Sequence, residues 1–246
     1  MDERIYREVE NKANILVNAL PYIRDFHEKI VVIEYGCRKY LSPIQEQKIM
    51  QDIALLKTVG MQPIVVHDTP MGVDKFRENK RIAKLIELCG EKALGICGSD
   101  LETLKMSLEN DYIPVIVPND IDNEYELIDP KDTAHEIAVQ MGADKLVFLS
   151  SHRGIWKDEE RTVVYPSLTV AEVRELLAQG KVTEGVISRV ERGFKAVEQG
   201  VNRVHILDGR IEHALLLEFF SVAGVGTIII NDKNILYAHE MELETK

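Results

Sequence analysis

Short runs of nearly uninterrupted valine, isoleucine and leucine recur along this chain, at 30–33, 63–66, 114–117, 146–149 and 204–207. A strand with one face in water alternates apolar and polar residues. A strand covered on both faces does not, and parallel strands are covered on both faces by the helices that connect them. The stretches between the runs carry helical spacing instead. Helices alternating with such strands predict an α/β fold, a three-layer αβα sandwich around a mainly parallel sheet.

Ile5, Val9, Ala13, Leu16, Leu20 and Ile23 lie at helical spacing and predict a first helix over 3–26, which Pro21 is expected to kink or divide. Strands are expected at 30–35, 62–67, 92–97, 112–118, 144–150 and 203–208. Helices are expected at 43–59, 72–89, 99–110, 131–142, 184–199 and 212–221, and another runs from the Thr169–Glu172 capping box to about residue 179. Segment 119–128 reads as a short hairpin, and 226–230 and 234–240 as closing strands. One sheet is expected to span an N-terminal half, 29–125, and a C-terminal half, 126–246, behind the leading helix of 1–28.

The net charge is −11 and no basic run offsets it, which argues against nucleic acid as a partner. No apolar stretch approaches the roughly 18 residues of a spanning helix, and the opening MDERIYREVENK is too charged for a signal peptide. A cytoplasmic protein with no membrane partner is the expectation. Cys37, Cys89 and Cys97 are odd in number and lack metal-ligand spacing. They read as reduced thiols, and no structural metal is expected.

In parallel sheets ligands sit at the carboxyl ends of the strands, so positions 34–38, 67–72, 96–100, 117–121, 150–154 and 208–213 are the places to look. Turns at strand ends often offer backbone N–H groups to an anion. The turn at Tyr35-Gly36 is preceded by Glu34, which would repel one. His67 closes a buried strand and reads as structural. Gly209 reads as a bend into the next helix, with His213 on its first turn, and His152-Arg153 as a basic pair beside a strand end.

The segments KANILVNALPYIRDFHEKIVVIEYG (12–36), QDIALLKTVGMQPIVVH (51–67), YIPVIVP (112–118), DTAHEIAVQMGADKLVFLS (132–150), KAVEQGVNRVHILDGRIEHALLLEFF (195–220) and GVGTIII (224–230) are collinear with one family. The chain resembles the N-acetylglutamate kinases, members of the amino acid kinase family. Its leading helix is similar to that of the hexameric, arginine-inhibited branch. The resemblance implies transfer of the ATP γ-phosphoryl group, with magnesium, to the side-chain carboxylate of N-acetylglutamate in arginine biosynthesis. It also implies self-association, as a dimer through the helix of 43–59 or as a hexamer through helix 3–26.

Carried over residue by residue, the family's motifs are altered here. Glu34, Tyr35, Gly36 and Cys37 stand at its Lys-Tyr-Gly-Gly entry, and Asp68, Thr69 and Pro70 at three phosphate-binding glycines. On the substrate side, Ile128 stands at an asparagine, while Asp132 keeps the aspartate that organises two lysines in the family. Arg189 takes the place of the second lysine, in a segment that begins at Gly185. Ser151 stands at the aspartate of a Leu-Thr-Asp turn that runs on to Gly154. Asp132 followed by Thr133 also reads as a helix N-cap, Arg189 as a solvated helix residue, and Glu34 and Asp68 as facing solvent in a vacant cleft. Ala223 stands where the arginine-sensitive branch places an acidic residue against the effector's guanidinium, so no specific arginine binding is expected. The segments bearing Gly-Leu-Arg-x-Thr and Asp-Leu-Gly-Phe-Val-Gly, which form the substrate lid, have no counterpart.

Phosphoryl transfer depends on positioning and charge stabilisation, so lost donors remove catalytic power directly. The expectation is therefore an N-acetylglutamate kinase-like protein without efficient catalysis. It would bind a small molecule not named by the sequence, or act as the regulatory partner of an active kinase paralogue. The alternatives are a working acetylglutamate kinase with an altered phosphate site, and a kinase of another small acidic substrate.

Overall fold

Each β-branched run becomes a strand of one eight-stranded sheet in the computed structural model, which describes residues 3–119, 128–221, 224–232 and 237. The strands are β1 (Ile30–Tyr35), β2 (Gln62–His67), β3 (Ala93–Cys97), β4 (Ile113–Val117), β5 (Lys145–Ser150), β6 (Ser167–Thr169), β7 (Arg203–Asp208) and β8 (Thr227–Ile230). Their order is β3-β4-β2-β1-β5-β7-β8-β6, and every pairing is parallel except β7 with β8. The connecting helices are α1 (Glu3–Phe26), α2 (Pro43–Thr58), α3 (Lys75–Glu87), α4 (Leu101–Glu109), α5 (Pro130–Gln140), α6 (Val170–Ala178), α7 (Glu184–Glu198) and α8 (Ala214–Phe219).

The helix ends follow from capping chemistry. Ser42 and Gln45 form a capping box at α2, Thr169 and Glu172 another at α6, and Asp74 delays the start of α3 to Lys75 by accepting from Arg77 N. Pro21 does not divide α1, which runs unbroken through it. The proline forgoes one ladder bond in the last turns. The three-residue strand β6 is too short to stand out in the sequence. The expected hairpin at 119–128 and strand at 234–240 fall almost wholly outside the described residues.

Alternation along the strands decides what each helix covers. Val32, Ile64, Val66, Leu146, Phe148, Val204 and Ile206 point to one face, where they pack with α4, α5, α6 and α7. Val31, Ile33, Tyr35, Val65, Val147, Leu149 and Leu207 point to the other, under α2, α3, α8 and the end of α1. The sandwich thus has two separate cores, one on each side of the sheet.

The sheet's second face also carries buried charge. Lys145 opens β5 and is fully buried; its ammonium lies 4.3 Å from the Phe26 ring centre and 4.2 Å from that of Tyr237, 3.2 Å from Asp144, and bonds Tyr237 Oη. A buried cation is costly there, but aromatic faces and a carboxylate stabilise the ammonium. Farther along, Asp52 of α2 is fully buried and accepts from His213 Nδ1 at 2.6 Å, while Gln45 Nε2 donates to Arg210 O at 2.9 Å. These two bonds fasten α2 to the turn after β7.

Burial raises the Asp52 carboxyl to about 6, and the hydrogen bond from His213 offsets it only in part. The folded value lies above the unfolded one, so folding favours the protonated form. Asp52's contribution is complete below the unfolded value and is lost as pH rises through about 6. The loss amounts to about 3 kcal/mol for a shift of this size. Asp52→Asn should flatten the dependence of urea-unfolding stability on pH in that window. The same slope in wild type and variant would refute the assignment.

Candidate functional site

Strand parity places Glu34. Its neighbours Ile33 and Tyr35 face α2 and α3, so Glu34 faces α5 and α7. There its carboxylate is buried and receives Arg189 of α7, with Nε 3.3 Å from Oε2. Burial pushes the Glu34 carboxyl upward, and the Arg189 guanidinium and Lys131 ammonium oppose that push. The pair lies across the turn: a Cβ at Gly36 would collide with Glu34 Oε1 and sit 2.9 Å from Arg189 Nη2. Glycine is required at 36 because the ion pair fills the space above it. Glu34 therefore does not face solvent in a vacant cleft, and Arg189, with a side chain 14% exposed, is not a solvated helix residue.

On the β5 and β7 side, Arg210 grips Asp208 through Nε (2.9 Å) and Nη2 (2.7 Å) and donates to Ser151 O at 2.9 Å. His152 lies over the first turn of α7, where a Cβ on Gly185 would come within 2.7 Å of its Nε2. Burial lowers the His152 pKa, and Arg189 lowers it further against the pull of Asp208, which favours the neutral ring. Gly154 has φ of +148° and abuts Thr227, whose hydroxyl accepts from Ile155 N at 2.9 Å; its role is to make the turn. Cys37 is buried beneath Gly209, where a Cβ would collide with its Sγ. Burial first, then Glu34, raises its thiol pKa, and the sulfur is not open to a ligand.

The N-terminus of α5 closes the third side. Its cap is Asp129, which accepts from Lys131 N at 2.9 Å and binds Lys131 Nζ at 2.7 Å. Asp132 is thus not the cap. It lies in the first turn and takes a two-pronged bond from Arg192, at 2.5 and 2.7 Å. Ile128, just before the cap, is 37% exposed.

At the end of β2, buried His67 shares Nε2 with Asn79 Nδ2 at 3.1 Å and Nδ1 with Asp68 O at 3.2 Å. Burial lowers its pKa, which fits a neutral ring holding the strand end in place. Asp68 is exposed and close enough to Glu34 to raise its pKa. Thr69 and Pro70 continue the turn, where Pro70 O accepts from Val73 N at 3.1 Å. Glu34, Arg189, Gly36, Gly185 and Asp68 come together at the carboxyl end of the sheet. Asp132 stands at the rim with Arg192.

Lys131 and Arg192 escaped the sequence reading, and Asp208 and Arg210 lay within the window 208–213 without being singled out. The signal was present: Arg189 and Arg192 are three residues apart on α7, and Asp129 and Asp132 are three apart where α5 begins. Each of the site's cations, Arg189, Lys131, Arg192 and Arg210, faces a carboxylate. Ala223 lies outside the described residues.

The amino acid kinase family model matches residues 77–208. Similar proteins include acetylglutamate kinases of Halothermothrix orenii, 34% identical over 92% of this chain and 99% of the relative, and of Syntrophomonas wolfei, 35% identical over 90% and 98%. The first alignment runs over 289 positions, more than the 246 residues of this chain, so the relative carries segments with no counterpart here. Among solved structures, N-acetylglutamate synthase of Neisseria gonorrhoeae, complexed with coenzyme A and N-acetyl-glutamate, aligns with a TM-score of 0.76 at 21% identity over 89% of this chain. The present chain spans 63% of that synthase. Carbamate kinase of Giardia lamblia, bound to AMP-PNP, aligns with a TM-score of 0.63 at 12% identity, over 83% of this chain and 99% of the other. At such identities these two likenesses speak for the fold. The family match and the collinear acetylglutamate kinases go further: this chain belongs to the amino acid kinase family.

Proposed function

We propose that this chain is an acetylglutamate kinase-like protein that keeps the scaffold and assembly surfaces of its family and acts by binding, as a regulatory partner of an active kinase, without efficient phosphoryl transfer. The observation that carries this is the Glu34–Arg189 ion pair across Gly36. A phosphate placed there meets a cation already neutralised and a buried carboxylate. At about 6 Å and an effective dielectric near 20, that carboxylate repels each phosphate charge by roughly 3 kcal/mol. Pro70 has no N–H to offer and Asp68 adds negative charge. A transferring phosphate with its magnesium would find Arg189 already engaged by Glu34, and Glu34 and Asp68 as the nearest carboxylates.

The names of the relatives favour a second reading, a working acetylglutamate kinase with an altered phosphate site. Calorimetry and a coupled ATPase assay with N-acetylglutamate separate the two. We expect Mg·ATP to bind weakly or not at all and turnover to be absent. Micromolar Mg·ATP affinity with N-acetylglutamate-dependent hydrolysis establishes the second reading instead. Glu34→Lys should not restore turnover, because it sets a lysine against Arg189 and leaves the lid missing.

Assembly should outlast catalysis. Helix α1 exposes Val9, Leu16, Val17 and Leu20, while its end, at Tyr22 and Phe26, packs on the body. Helix α2 exposes Ile44 and Leu55 although Ile49, Ile53 and Leu56 are buried, so apolar side chains surround it. It borders a groove of about 920 Å³ lined by Met50, Ala54, Leu85 and Leu88. A second copy fits both surfaces, giving a dimer through α2 and a hexamer through α1. Deleting 1–26 would strip Phe26 from the core, so the informative truncation removes residues 1–20. Light scattering should give a hexamer for the intact chain and a dimer for the truncated one; a monomer mass for the intact chain refutes the proposal.

A further inference from the structure

Strands β2, β1 and β5 are neighbours in the sheet, and Asp68, the Gly36 turn and Ser151 lie side by side at their carboxyl ends. Charge is distributed unevenly over these three turns. Asp68, beyond β2, is exposed and faces no cation among the described residues. In the middle, Glu34 and Arg189 compensate each other. On the β5 side, the short 3₁₀ turn Arg38–Tyr40 brings the Tyr40 hydroxyl to the side chains of Lys39 and Ser151. Lys39 is exposed, lies 4.9 Å from the centre of the Tyr40 ring, and faces no carboxylate among the described residues.

The cleft is therefore negative at one end, neutral in the middle and positive at the other. Each end also sets like charges near one another. Asp68 pushes the Glu34 carboxyl upward, and the charge of Arg189 reaches the Tyr40 hydroxyl that Lys39 contacts. Arg189 engages Glu34 through Nε, and its Nη2 lies over the Gly36 turn. Neither Nη group donates to another described residue, so that edge of the guanidinium keeps its donors.

We propose that this cleft binds a zwitterion with well-separated charges, an ω-amino acid, whose ammonium meets Asp68 and whose carboxylate meets Lys39 and the Nη edge of Arg189. The inference rests on the reading that the cleft binds without efficient phosphoryl transfer. Such a ligand relieves both like-charge contacts at once. A phosphate relieves only one and is repelled at the other, and N-acetylglutamate brings two carboxylates and no ammonium. Spacing selects among zwitterions. The ends of β2 and β5 are two strand intervals apart, roughly 10 Å. A hydrogen bond of about 3 Å at each end leaves roughly 4 Å or more between the charges of the ligand. An α-amino acid falls short of that, whereas γ-aminobutyrate and ε-aminocaproate reach it.

The test is calorimetry on the full chain without nucleotide, with glycine, γ-aminobutyrate and ε-aminocaproate as probes. Caproate, hexylamine and N-acetyl-ε-aminocaproate are the controls that each lack one charge. At least one of the two longer zwitterions should bind at least tenfold more tightly than glycine and than every control. Asp68→Asn and Lys39→Gln, both at exposed positions, should each weaken it at least tenfold, because each removes a charge-assisted bond. Asp68→Asn should also abolish the preference for the zwitterion over caproate, a loss that mere loosening of the turn does not produce. No binding by either longer zwitterion, equal binding of glycine or of a singly charged control, or indifference to both substitutions overturns the proposal. Because no nucleotide is present, that failure leaves the reading of the cleft as catalytically inefficient standing, and only the ATPase assay overturns that reading.

Discussion

A glutamate at the end of a central strand has to be neutralised, and the rest of the candidate site is arranged around that need. Moving a carboxylate from water to a protein interior costs several kcal/mol, which only a close cation and good hydrogen bonds offset. Glu34 is 1% exposed, on a strand flanked by β2 and β5. It cannot reach solvent by a change of rotamer without unpacking α5 or α7. Arg189 supplies the cation, and its presence excludes a side chain at position 36. The neighbouring turn is subordinate to the same geometry, since buried Cys37 then lies against Gly209, which must also lack a Cβ. One charge at one parity position thus draws in Arg189 of α7 and crowds the turn at Gly36.

The opposite end of the sheet solves a similar problem differently. Lys145 stands beside Asp144 and beneath Phe26 and Tyr237, and Glu218 accepts from buried His205 Nδ1 at 2.8 Å. Glu218 in turn accepts from Val225 N and Gly226 N, which holds the approach to β8. The rings of Phe219 and Phe220 pack edge-on against Phe26. The end of α1 is therefore clamped to the sheet through its last turn while its exposed stripe projects. A helix anchored this way keeps a fixed direction for its exposed stripe.

Most of the architecture was legible because strand burial leaves a local mark. Unbroken valine and isoleucine runs announce two covered faces, and Ser42, Asp74 and Thr169 mark where helices begin. The site was legible only in outline. Glu34, Arg189 and Asp132 could be singled out, but their partners could not, because which arginine of α7 meets which carboxylate depends on the angle between α5 and α7. The family aspartate at 132 engages Arg192, and Arg189 is left to Glu34. A one-turn choice along α7 made that difference. Asp132 was also mistaken for a cap because Asp129, with proline after it at the first helical position, sits three residues earlier.

The shortened segments bear on why the fold survives without them. A parallel crossover needs only about a dozen residues to return the chain to the same end of the sheet. The path from Cys97 to Ile113 still holds α4, whose Leu104 and Leu108 close the first core, and the turn from His67 to Lys75 still delivers α3, whose Ile82 and Ile86 close the second. Both clusters are complete without the material that the relatives carry in addition. Asp68, Asp132 and Arg192 belong to neither cluster, so cleft and core depend on different residues.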